Sequence, residues 1–186
     1  MRIVALDNSA GMLAKVSVPA VQADAQALPF RDASFDRVMA NHVLYHIPDM
    51  RRALLELRRI ARPGARVVLA ANSRATMRPL FALTDEIAAE VGVPMYRTVA
   101  LRFGLEDLQL VQEVFPTARV EIYEDAFLFP SADPVLAYVA SMCVDFGAPD
   151  RRAEFLRRLE EEVRGIIERE GVFRVPKRSG CFVAEV

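Results

Sequence analysis

The sequence is short of cysteine, of paired glycines, of net charge and of long apolar runs, and each shortage removes a class of protein. Cys143 and Cys181 are its two cysteines, far apart and without CxxC spacing, so neither a disulfide framework nor a zinc site is indicated. Both read as buried, unreactive thiols. The eight glycines, at 11, 64, 92, 104, 147, 165, 171 and 180, include no GxG pair. Twenty-four Lys and Arg against 25 Asp and Glu leave a net charge of −1, which gives nucleic acid or an anionic membrane no electrostatic hold as main partner. No apolar run approaches the ~20 residues that cross a bilayer, and the N-terminus lacks the tripartite plan of a signal peptide. The reading is a soluble, cytoplasmic protein. What the chain does have is 186 residues, 53% of them hydrophobic, enough for one substantial core and most simply one domain.

The functional stretch is AVQADAQALPFRDASFDRVMANHVLYHIPD, residues 20–49. Ala20–Ala23 is a short apolar run ending at Asp24, and Phe35–Ala40 is a second one, followed by a polar turn. Upstream, Ile3–Leu6 is an apolar run closed by Asp7, with Asn8 or Ser9 placed to cap a short helix. Continuous runs of this kind fit strands buried on both faces, as in parallel sheets. Acids and amides at the carboxyl ends of such strands face one crevice, where open α/β sheets bind small molecules. Asp7 can also serve simply as a helix cap.

Pro48-Asp49 begins a helix with Ala53, Leu54, Leu57, Ile60 and Ala61 at helical spacing; Arg51, Arg52, Glu56, Arg58 and Arg59 fall mostly on the solvent face. Pro63-Gly64 ends it, and Ala65–Ala71 is the next buried strand, giving the rhythm of right-handed βαβ units. Further on, helical spacing recurs in 73–91, 104–114, 131–143 and from Asp150 to Gly171, with strand patterns at 118–129 and 180–186.

The pieces VALDNSAGML, QADAQALPFRDASFDRVMANHVLYHIPD and ELRRIARPGARVVLAANS, in this order, resemble the class I S-adenosylmethionine-dependent methyltransferases that act on small molecules. The resemblance covers Ile3 to about Asn72. It implies an α/β, Rossmann-like sheet, mostly parallel with a C-terminal antiparallel strand pair. It implies S-adenosylmethionine as cofactor and methyl transfer to a small-molecule acceptor. By position, Asp7 would bind the ribose hydroxyls and Met12 would pack near the adenine. Asp24 would accept from the adenine amino group, the Ala25 amide would donate to the ring, and Asn41 with His42 would border the methionine portion. The tail resembles the family's closing strand pair, with 73–100 and 130–172 as helical cap or insert segments of a single domain, 1–186, that chooses the substrate. Arg97, Arg102 and Lys177 could contact an acidic substrate, although such residues are more often solvated surface charges.

The family's first strand and its glycine-rich loop have no counterpart in this sequence, so the domain reads as N-terminally incomplete. In the family that strand lies between those matching Ile3–Asp7 and Phe35–Ala40. Without it the sheet would be split, unless the two strands pair directly or another chain covers the edge. The expectations are a homodimer or larger assembly pairing near Ile3–Leu6 and weak affinity for S-adenosylmethionine. A second functional class, an inactive methyltransferase-like binding or assembly module, fits the same residues. A dehydrogenase fits less well, since no tyrosine has lysine four residues later. His42 and His46 have the i, i+4 spacing of two metal ligands on one helical face, but HExxH is absent. His46 is instead a candidate general base, because an imidazole exchanges protons near neutral pH, with a helix-start or turn hydrogen bond as its more ordinary role.

Overall fold

The computed structural model describes residues 2–94, 101–142 and 149–186. Arg97 and Cys143 lie outside them. The elements are β1 (Ala5–Asp7), α1 (Ala10–Leu13), β2 (Ala20–Gln22), β3 (Phe35–Asn41), a 3-10 turn (Leu44–His46), α2 (Met50–Ile60), β4 (Ala61–Asn72), α3 (Arg78–Val91), α4 (Leu108–Gln112), β5 (Arg119–Phe129), α5 (Asp133–Met142), α6 (Pro149–Glu170) and β6 (Phe173–Glu185). Two sheets result: a parallel pair β1–β2, and a four-stranded sheet in the order β3-β4-β6-β5. β3 and β4 are parallel. Gly64 and Ala65 bond to Val186, and Ser73 to Arg178, so β6 runs antiparallel to β4. The expected α/β architecture, parallel with a C-terminal antiparallel pair, is the one observed. No helix among the described residues is long and apolar enough to cross a membrane.

The chain divides into two compact units. The first comprises 1–72, 100–122 and 180–186. Its core forms because α2 and β4 each present one apolar face: Ala53, Leu54, Leu57 and Ile60 recur at helical spacing, and Ala65, Val67, Leu69 and Ala71 alternate along the strand. Phe103, Val111, Phe115 and Phe182 complete that core. The second unit comprises 73–99 and 123–179. In it Leu80, Ile87, Val135, Val139, Phe155, Leu159 and Val163, from α3, α5 and α6, bury together with Phe173 and Val175. α3 ends at Gly92, whose φ of 72° is the left-handed conformation that glycine adopts without a Cβ penalty.

Three local expectations are corrected, and the split between the strands of Ile3–Asp7 and Phe35–Ala40 is observed. Ile3 and Val4 are not in a strand and are 49% and 39% exposed, because β1 has a neighbour on one edge only. β1 and β3 do not pair directly; they stand in separate sheets. Helix α2 stops at Ile60 rather than at Pro63-Gly64, since Ala61 is already extended. Pro63-Gly64 instead lies within β4, where the register jumps from Phe35 opposite Ala61 to Arg37 opposite Arg66, and Gly64 takes a φ of 77°. Glu56 is not on the solvent face of α2 but 7% exposed.

Candidate functional site

The first unit places two acids at the carboxyl ends of neighbouring parallel strands. β1 and β2 are in register with Asp7 opposite Gln22, and the Ala23 amide donates to the Asp7 carbonyl at 3.1 Å. Asp7 therefore closes one strand beside the chain that continues to Asp24. The Asp7 carboxylate accepts from the Ser9 amide at 2.8 Å through Oδ1, and Ser9 in turn caps α1 by accepting from the Met12 amide. Asp7 thus braces the strand-to-helix turn, and its Oδ2 makes no hydrogen bond among the described residues. Met12, on α1, is 55% exposed.

Asp24 is exposed but not loose. Its Oδ1 accepts from the Gln26 backbone amide at 2.8 Å and from Gln26 Nε2 at 3.1 Å, and its Oδ2 accepts from the same Nε2 at 2.9 Å. A carboxylate offers about four acceptor positions, so roughly one remains on Oδ2. Ala25, next to it, is half-buried against the apolar core.

The loop that follows is fastened to α2 at two places. Gln26 Oε1 accepts from the Asp49 amide at 3.0 Å, and Arg52 Nε donates to the Gln26 carbonyl at 3.2 Å. Asp49 is also the N-cap of α2, accepting from the Arg52 amide. Further along, Glu56 Oε2 accepts from the Leu28 amide at 2.8 Å. Arg59 donates to the Leu28 and Phe30 carbonyls, to Asp32 and to both oxygens of Glu56. The Arg59 hydrogen bonds hold the Glu56 carboxyl down at about 2, outweighing the burial that would raise it. Glu56 shares the helical face of Ala53 and Ile60, three and four residues away. A charge inside an apolar stripe was the available sign of a buried partner.

Asn41 ends β3, opposite Ala70, and is exposed. His42 follows in the left-handed region, with φ 52°, while its amide still donates to the Ala70 carbonyl. Only Leu44–His46 is helical in HVLYH, so the two histidines do not lie on one helical face and the ligand-pair spacing has no structural counterpart. His46 is exposed, at the end of this turn, its ring 4.5 Å from that of Tyr45. Of the other predicted contacts, Arg102 donates to the Ile47 and Pro48 carbonyls, a structural use of its charge. Lys177, in the second unit, sits over the Phe127 ring.

The structure thus joins Asp24 to the start of α2 through Gln26. Between Asp7 and Asn41 or His42 there is no hydrogen bond among the described residues. Gln26, Glu56 and Arg59 are the site-supporting residues that the sequence reading passed over.

Residues 1–69 match a family model described as a methyltransferase domain. Over 148 residues the chain is 28% identical to a demethylmenaquinone methyltransferase of Renibacterium salmoninarum, covering 75% of this chain and 56% of that protein. Over 100 residues it is 39% identical to a protein of the same name from Mycobacterium sp. strain KMS, covering 52% and 44%. The chain therefore spans about half the length of these curated relatives. A solved structure assigned to the methyltransferases of an antibiotic biosynthesis pathway in Anabaena variabilis superimposes with a TM-score of 0.66 at 21% identity, over 98% of this chain and 81% of that one. Residues 1–69 therefore match a methyltransferase domain in sequence, and the chain shares its Rossmann-like α/β fold with that solved structure.

Proposed function

We propose that this chain binds S-adenosylmethionine and takes part in transfer of its methyl group to a small-molecule acceptor. The observation that carries the reading is the pair of acids, Asp7 and Asp24, set at the ends of adjacent parallel strands within the segment that matches the methyltransferase domain. The residues present fit the adenosine end of the cofactor. Asp7 keeps one carboxylate oxygen for the ribose hydroxyls, Asp24 keeps an acceptor position for the adenine amino group, and exposed Met12 offers an apolar surface for the ring. Ala25 donates to the ring, and Asn41 and His42 border the methionine portion. Bound S-adenosylmethionine supplies a methyl group already activated on a sulfonium. What the chain must then supply is orientation of the acceptor, with a base only if the acceptor has a proton to lose. His46 is the group in this segment that can take that proton. Helices α3, α5 and α6 of the second unit are the segments from which substrate choice would come.

A second reading, a methyltransferase-like assembly module, draws on the exposed Ile3, Val4 and Met39, the last 66% exposed on edge strand β3. Apolar groups beside an unpaired strand edge favour a homodimer joined near Ile3–Leu6.

Calorimetric titration with S-adenosylhomocysteine tests the first reading. The chain should bind it, and Asp7→Ala should bind at least about tenfold more weakly, because hydrogen bonds to a charged acceptor are worth roughly 1.5–3 kcal/mol each. Equal binding by the two proteins removes the ribose assignment; no binding by the parent chain removes the cofactor reading and leaves the assembly module.

A further inference from the structure

The Gln26 side chain links two parts of the first unit. On one side its Nε2 donates to both oxygens of Asp24, at 3.1 and 2.9 Å; on the other its Oε1 accepts from the Asp49 amide at 3.0 Å. The chemistry of the partners fixes which way the amide faces. A carboxylate can only accept and a backbone N–H can only donate, so the nitrogen must face Asp24 and the oxygen Asp49. Asp49 is itself immobilised as the cap of α2, and Arg52, one turn into that helix, holds the Gln26 carbonyl.

We infer that Gln26 is a positioning residue that sets the specificity of Asp24, aiming the one remaining acceptor position of Asp24 at a donor on the ligand. This inference rests on the cofactor reading above. An exposed aspartate without such a hold samples several rotamers, and ordering it would be charged against ligand binding. Gln26 orders it beforehand. It also occupies the inner acceptor positions of the carboxylate, so the position left over has a defined direction. A site arranged in this way discriminates by the sign of the hydrogen-bonding group it meets. A ligand amino group is accepted, whereas an oxo group at the same place sets two acceptors against each other.

The test compares S-adenosylhomocysteine with S-inosylhomocysteine, in which an oxo group replaces the adenine amino group, by calorimetry on the whole chain. The parent protein should prefer the amino ligand by about tenfold or more. Gln26→Leu removes all three side-chain hydrogen bonds at nearly constant size while keeping the backbone amide bond to Asp24, and the preference should fall at least about fivefold, mostly through weaker binding of the amino ligand. Gln26→Glu keeps the acceptor toward Asp49 and sets a second carboxylate against Asp24; it should lose the preference too, and it stands in if Gln26→Leu does not fold. A loose loop alone would weaken both ligands equally and leave the ratio untouched. Retention of the parental ratio in the folded variant overturns the role of Gln26 while leaving the cofactor reading intact. A parent protein that binds both ligands equally overturns the role of Asp24 and that of Gln26 with it. A parent that binds neither overturns the cofactor reading itself.

Discussion

Helices α2 and α6 carry the same ion pair in the same geometry. In α2, Arg59 Nε and Nη2 donate to the two oxygens of Glu56 at 2.8 and 2.7 Å; in α6, Arg157 Nε and Nη2 donate to the two oxygens of Glu154 at 2.9 and 2.7 Å. Both are glutamate followed three residues later by arginine. The surroundings differ. The Glu56 side chain is 10% exposed and also accepts from the Leu28 amide, whereas that of Glu154 is 44% exposed and meets mainly other side chains of its own helix. Arg59 reaches out of its helix to two carbonyls of the 24–34 loop. Among the described residues Arg157 adds only Glu161, on the same helix. One pair therefore decorates a helix that packing already stabilises, and the other holds a loop in place. Pair geometry does not distinguish them; burial and the backbone groups they satisfy do.

Arg59→Met should sharpen the contrast most. It leaves a buried carboxylate without its countercharge and two loop carbonyls without a donor, at a cost on the order of 3 kcal/mol. Urea unfolding measures it, and a loss below about 1 kcal/mol would place Glu56–Arg59 in the same class as the surface pair. The next effect depends on pH. Glu56 has its carboxyl lowered from 4.5 to about 2 in the folded protein. The unfolded chain therefore takes up this proton first as the pH falls. Its stabilisation is complete above about pH 5 and fades toward pH 2, amounting to at most about 3 kcal/mol and less where water screens Arg59. Glu56→Gln should flatten this part of the stability curve measured between pH 7 and 2.5; parallel curves for the two proteins would refute the linkage. The smallest effect belongs to Arg157→Met. Its unfolding midpoint should stay within replicate scatter of the parent, and any difference at low ionic strength should vanish in molar salt. A salt-resistant loss there would break the comparison from the other side.

These two helices also show what the sequence disclosed. The apolar positions of α2 were legible because period 3.6 is imposed by backbone geometry, and β4 was legible as a strand from the apolar run Ala65–Ala71, although the alternation of its burial was not read there. The start of α2 at Pro48-Asp49 was legible too, and Ser9, which caps α1, was one of the two caps offered there. The strand-end positions of Asp7 and Asp24 followed from where the apolar runs stop. Glu56 was misplaced because its partner amide, Leu28, lies 28 residues earlier, a separation that periodicity does not encode. Gln26 was passed over for a similar reason, its second partner being 23 residues away at Asp49. The i, i+4 spacing of the histidines, set aside as a metal pair on sequence grounds, has no helix to carry it because a left-handed residue at His42 precedes the short turn. Pro63-Gly64 signals a helix stop in isolation, yet here it follows a stop already made at Ile60 and marks an irregularity inside a strand.

The place of β6 in its sheet has a consequence for how the chain is made. β6 lies between β4 and β5, yet residues 73–172 separate it in sequence from β4. During synthesis β3 and β4 can pair early, whereas β5 emerges with its eventual neighbour still untranslated. The open side of β4 and the near side of β5 must then wait for the same segment, and contacts of such separation are slow to form. Gly180 marks a close point of that late insertion, since a Cβ there would lie 2.1 Å from the Glu121 carbonyl oxygen of β5. A nascent chain stalled before this strand would display two strand edges with unpaired backbone groups, which makes the interval before β6 emerges the time when a chaperone has most to protect.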